Sequence, residues 1–131
     1  MNKILSVILL FLVLPLASYA KTAKNHIYFE KDYQKFWCNK NCGQLEVILP
    51  DKARVDCVTK THAIEFDFAS KWAESIGQSL YYAEVLNKTP GIVLIVEDEI
   101  KDQKYINRVR SIAKKYCIDL WTIKPGDITN K

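Results

Sequence analysis

The sequence predicts an α/β (α+β) fold, a mixed sheet flanked by helices in the order αβββαβαβ, and three observations lead there. Residues 45–68 hold three short β-branched and aromatic runs separated by Pro50-Asp51-Lys52 and Lys60-Thr61, which reads as three sequential antiparallel strands. After residue 68 the apolar period changes from two to 3.6 in two long segments. Each of these is followed by an apolar run, GIVLIVE and then IDLWTI, the first continuous enough to be an interior strand covered on both faces. A meander followed by crossover helices makes a mixed sheet with helices against it.

The elements follow in chain order. MNKILSVILLFLVLPLASYA joins Lys3, an apolar run from Ile4 to Leu14, a break at Pro15 and the small-x-small site Ser18-Tyr19-Ala20. This is the layout of a secretory signal peptide over residues 1–20. Its apolar run is shorter than the ~20 residues a spanning helix needs. The mature chain, residues 21–131, is therefore expected to be a single periplasmic or secreted domain and not an integral membrane protein. EKDYQKFWCNKN sets Tyr33, Phe36 and Trp37 at helical spacing, with Gly43 where a C-cap belongs. LEVIL, RVDCVT and AIEFDF are the three strands. SKWAESIGQSLYYAEVLNK is a helix with Trp72, Ile76 and Leu80 as its expected buried stripe, and Asn87 to Gly91 ends it. KDQKYINRVRSIAKKYC turns Ile106, Val109 and Ile112 inward.

The chain has 19 Lys and Arg against 15 Asp and Glu; loss of residues 1–20 removes Lys3 and no acid, leaving +3. That balance permits an anionic partner without demanding one. Four cysteines, Cys38, Cys42, Cys57 and Cys117, favour disulfides in an oxidising compartment and allow three connectivities. A metal site on CNKNC is the weaker alternative, because only His26 and His62 add soft ligands. Strand alternation turns Cys57 away from Asp56, toward the side the first helix covers, so a Cys38–Cys57 bridge is expected, with Cys42 and Cys117 paired or free.

The same alternation sorts the acids. Ile64, Phe66 and Phe68 face one way and Glu65 and Asp67 the other, and Asp56 on the neighbouring strand can join them, with Glu46 at the side. Two carboxylates ~4 Å apart repel by about 4 kcal/mol at an effective dielectric near 20. A divalent cation held by oxygen ligands, Mg²⁺ or Mn²⁺, offsets such a cluster. Ion pairs to Arg54, Lys60 or Lys71 on a solvated face are the alternative. Lys71, Glu74, Gln78 and Tyr82, spaced by three, four and four, form one stripe of the following helix directly after the acidic strand.

At RVDC, AIEFD and QSLYY the sequence resembles the PD-(D/E)xK (restriction-endonuclease-like) nuclease superfamily, and more narrowly a group of small exported bacterial proteins. Asp56 stands for the first acid, Glu65 for the second, and Gln78 to Tyr82 for the Q-x-x-x-Y helix motif. The chain departs from the pattern at Asp67, where the superfamily usually has Lys, and at Val55, where it has Pro. The resemblance implies a nuclease-like domain over residues 21–131 and metal-dependent phosphodiester hydrolysis of DNA or RNA. It implies Mg²⁺ or Mn²⁺ on Asp56, Glu65 and the Phe66 carbonyl, with Glu46 helping through water. It further implies that Lys71, moved onto the helix, orients the attacking water, that Gln78 and Tyr82 position the strand, and that Lys60 or Arg54 touches flanking phosphates. A nuclease-like scaffold that no longer cuts, and binds nucleic acid or a partner protein, is the alternative function.

Overall fold

The structure, a computed structural model, describes residues 25–129; the expected signal peptide lies outside the described residues. Helix α1 (Glu30–Lys40) precedes a meander of β1 (Gln44–Ile48), β2 (Arg54–Val58) and β3 (His62–Phe68). A 3-10 turn (Ala69–Lys71) leads into α2 (Trp72–Leu86), followed by β4 (Thr89–Ile95), α3 (Glu99–Tyr116), β5 (Asp119–Ile123) and a short α4 (Pro125–Thr129). The expected element order holds, with α4 added. The five strands lie side by side in sequence order, β1 to β3 pairing antiparallel and β3 to β5 parallel. The result is a mixed sheet flanked by helices.

Local chemistry sets the boundaries. Asp51 Oδ1 accepts the Ala53 N–H at 3.0 Å in the β1–β2 turn, and Thr59 Oγ1 accepts the His62 N–H at 3.0 Å in the next. Asn87, at φ 51°, stops α2 in the left-handed conformation that Asn tolerates. Asp98 caps α3 by accepting the Lys101 N–H at 3.0 Å.

The layers follow from the alternation of β3. Tyr33, Cys38, Phe36 and Trp37 of α1 cover Ile64, Phe66 and Phe68 together with Val93, Ile95 and Ile123 on one face. On the other face α2 and α3 cover Ile92, Leu94 and Val96. Cys38 and Cys57 form a disulfide that fixes α1 to β2, while Cys42 and Cys117 are free and exposed. Gly43 is required beside it, because a Cβ there would lie 2.5 Å from Cys57 Sγ and 2.6 Å from Cys38 Sγ. The α1 C-cap is Asn41, not Gly43. Among the described residues no helix is long and apolar enough to cross a membrane.

Two expectations need correction. The fully buried face of α2 is Ser75, Ser79, Tyr82 and Ala83, while Trp72, Ile76 and Leu80 are half-buried against the α3 side. Serines fit there because Ser75 and Ser79 donate their hydroxyls to the Trp72 and Ile76 carbonyls of their own helix, at 2.8 and 3.0 Å, and so leave no polar group unpaired against the sheet. Secondly, strand alternation would turn Val55 to the same side as Cys57, away from Asp56, but the two do not share a face. Val55 packs with Tyr82 and Ala83, and Cys57 with Tyr33 and Cys38. The β2–β3 pairing stops at Cys57↔Ile64, and beyond it the Asp56 side chain, in place of β2 backbone, takes the Phe66 N–H at 2.9 Å. The strand turns at Asp56.

Candidate functional site

That turn opens a cavity of about 300 Å³ between β2, β3, one face of α2 and the first residue of α1. Asp56, Glu65 and Asp67 line it, each no more than 6% exposed, as do Lys71, Glu74, Gln78, Tyr82, Arg54 and Glu30. The strand acids and the polar stripe of α2 therefore face the same space. Gln78 Nε2 donates to Tyr82 Oη at 3.2 Å, and Lys71 Nζ lies 3.8 Å from Asp67 Oδ1 at the open side.

Two candidates lie elsewhere. Glu46 has a left-handed backbone, φ 52°, on an edge strand; its exposed carboxylate sits 3.5 Å from Arg54 and reaches the cavity only through that guanidinium. Lys60 occupies the β2–β3 turn, at the opposite end of the strands from the cavity, where its carbonyl accepts the Lys88 Nζ at 2.8 Å. Phe66 meets Asp56 through its N–H.

Glu30 was not anticipated. An acid in the first turn of a helix has an ordinary reason to be there, since it interacts favourably with the helix dipole, and that reason alone does not point to the cavity. Here Glu30 faces Asp67 across the cavity while accepting the Gln34 Nε2 at 3.2 Å.

The electrostatics are those of carboxyls crowded out of water. Burial, then the neighbouring Asp56 and Asp67, hold the Glu65 carboxyl far above the usual range. Burial also raises Asp56, against the opposing Phe66 N–H, and raises Glu30 against the charge of Lys71. Asp67 is pushed up to about 7, by burial first and the Glu30 charge second, with Lys71 opposing. Glu65 Oε2 is buried with no hydrogen-bond partner. An orphaned carboxylate oxygen beside a second buried carboxylate is a fit for a hard divalent cation. Among the described residues no three His, Cys, Asp or Glu side chains converge as a ligand set.

The chain matches no family model, no curated protein and no solved structure.

Proposed function

We propose that this protein is a metal-dependent phosphodiesterase acting on DNA or RNA. The observation that carries the reading is the buried Glu65 Oε2, without a hydrogen-bond partner and beside Asp56, in a cavity that also holds a Lys, a Gln–Tyr pair and an Arg. The order αβββαβαβ, which the resemblance to the restriction-endonuclease-like superfamily implies, supports it. Asp56 and Glu65 would hold Mg²⁺ or Mn²⁺, which when bound supplies Lewis acidity toward water and a phosphate oxygen.

The chain's own residues do the rest. Lys71, at the open side of the cavity next to Asp67, orients a water for attack, the role that a Lys at position 67 would otherwise take. Gln78, bonded to Tyr82, offers its remaining amide group to the nucleic-acid strand. Arg54, at the rim, meets a flanking phosphate.

A plasmid-nicking and RNA-cleavage assay with millimolar Mg²⁺ or Mn²⁺ tests this. Activity is expected with metal and absent with EDTA, and lost in Asp56→Asn and Glu65→Gln. Absence of cleavage of either substrate with both ions defeats it. A second reading, a scaffold that binds without cutting, is favoured by one observation: Lys71 is close enough to Asp67 to neutralise it in place of a cation. Binding without cleavage, insensitive to Mg²⁺ and Mn²⁺, would select that reading.

A further inference from the structure

The charge of this chain is not spread evenly. Six of its nineteen Lys and Arg and two of its fifteen Asp and Glu lie in α3, leaving thirteen of each elsewhere, so this one helix accounts for the whole formal +4. Its two acids are already engaged. Asp102 is buried and accepts the Glu97 and Asp98 N–H groups, each at 3.2 Å, and Glu99 pairs with Lys124. Lys101 pairs with Asp98 at 2.9 Å. Lys104, Arg108, Arg110, Lys114 and Lys115 are exposed and have no carboxylate partner among the described residues.

Helical spacing divides these cations. Lys104, Arg108 and Lys115, at i, i+4 and i+11, run along one side, about 16 Å from end to end at 1.5 Å per residue. This side adjoins α2. Arg108 lies over both the Trp72 ring, at 5.3 Å, and the Tyr105 ring, at 5.6 Å, and Lys104 lies 4.9 Å from Tyr105. A guanidinium fixed between two rings loses less freedom on binding an anion. Trp72 directly follows Lys71, which lines the acidic cavity, and α3 packs against the Ala69–Lys71 turn. The stripe therefore leads to the cavity, whose own carboxyls repel a polyanion.

We propose that the Lys104–Arg108–Lys115 stripe of α3, with Trp72 and Tyr105, is a docking track for single-stranded nucleic acid, holding the phosphate backbone that the acidic cavity cannot hold. Charge complementarity commits it to a polyanion, and cations alternating with aromatic rings suit a strand whose bases are free to stack. The choice of nucleic acid over other polyanions rests on the phosphodiesterase reading.

The test is fluorescence anisotropy of a labelled single-stranded oligonucleotide titrated with the full exported protein in EDTA, at several salt concentrations. Binding of the wild type and of Glu65→Gln is expected. K104Q/R108Q/K115Q should bind at least tenfold more weakly at low salt and flatten the slope of log K against log salt by about two, at ~0.7 per contact. R110Q/K114Q, on the other side of the helix, should lose far less. Equal losses from the two sets, an unchanged slope in the triple variant, or no binding by the wild type overturns the proposal. So does stripe-dependent binding to phosphatidylglycerol vesicles in place of the oligonucleotide. Because the readout needs neither metal nor cleavage, binding along the stripe without nicking activity upholds the track while the phosphodiesterase reading fails.

Discussion

Asp67→Asn tests whether the cavity acids are held against their preference for water. Asp67 is 4% exposed and its carboxyl is pushed from 3.8 up to about 7. Between these values the unfolded chain has released a proton that the folded protein retains, so the unfolded state binds fewer protons and stability falls as pH rises. Three units would amount to about 4 kcal/mol in an insulated site. Lys71 is half-exposed at the open side, where solvent screens the group, and a discount of about half leaves ~2 kcal/mol. For a domain of about 100 residues that is roughly 10 °C in Tm. The amide introduced by the substitution mimics the protonated acid and does not titrate. Melting followed by circular dichroism in EDTA should find the two proteins equally stable near pH 4, with the variant pulling ahead until about pH 8. Parallel Tm curves across that range would refute the reasoning, since Asp67 would then titrate alike in the folded and unfolded chains.

Three further outcomes are expected. Millimolar Mn²⁺ or Mg²⁺ should raise Tm at pH 8 by several degrees and much less at pH 5.5, because ligating carboxyls must lose their protons; Glu65→Gln should abolish the shift and exposed Glu84→Ala should not. Replacing Cys38 and Cys57 together by Ala should cost about 3 kcal/mol in chemical denaturation, from release of a loop with a sequence separation of 19. Gly43→Ala, whose Cβ would meet both sulfurs, should destabilise the wild type strongly and the cysteine-free protein far less, and equal effects in the two backgrounds would defeat that account.

The alternation of β3 was legible because both faces of that strand are committed, Phe66 and its apolar neighbours against α1 and Glu65 and Asp67 into the cavity. The apolar run of β4 was legible for the same reason, being covered by helices on both sides. Where the reading failed, a side chain replaced a backbone group or concealed its own polarity. Asp56 occupies the hydrogen bond that β2 would have given Phe66, and no period-two pattern registers such a substitution. Ser75 and Ser79 count as polar in any amphipathic analysis, yet their hydroxyls are spent inside α2, and the buried face is displaced from the apolar stripe as a result.

The candidate site was legible in proportion to how locally it is encoded. Asp56, Glu65 and Asp67 come from one hairpin and Lys71, Glu74, Gln78 and Tyr82 from the next helix, so period and spacing were enough to gather them on one face. Glu30 comes from outside that continuous stretch. Its place depends on the disulfide: Cys38 is fixed to β2, and Glu30 lies eight residues earlier on the same helix, about 12 Å along its axis, which brings it level with the far end of β3. Glu46 shows the opposite case, since it is near Asp56 in the β1–β2 pairing but takes a positive φ and turns to Arg54. Distance along the chain predicted neither outcome. A covalent bond decided one and a single backbone dihedral the other, and the Cys38–Cys57 pairing was the feature from which the fifth acid at the cavity, Glu30, could have been inferred.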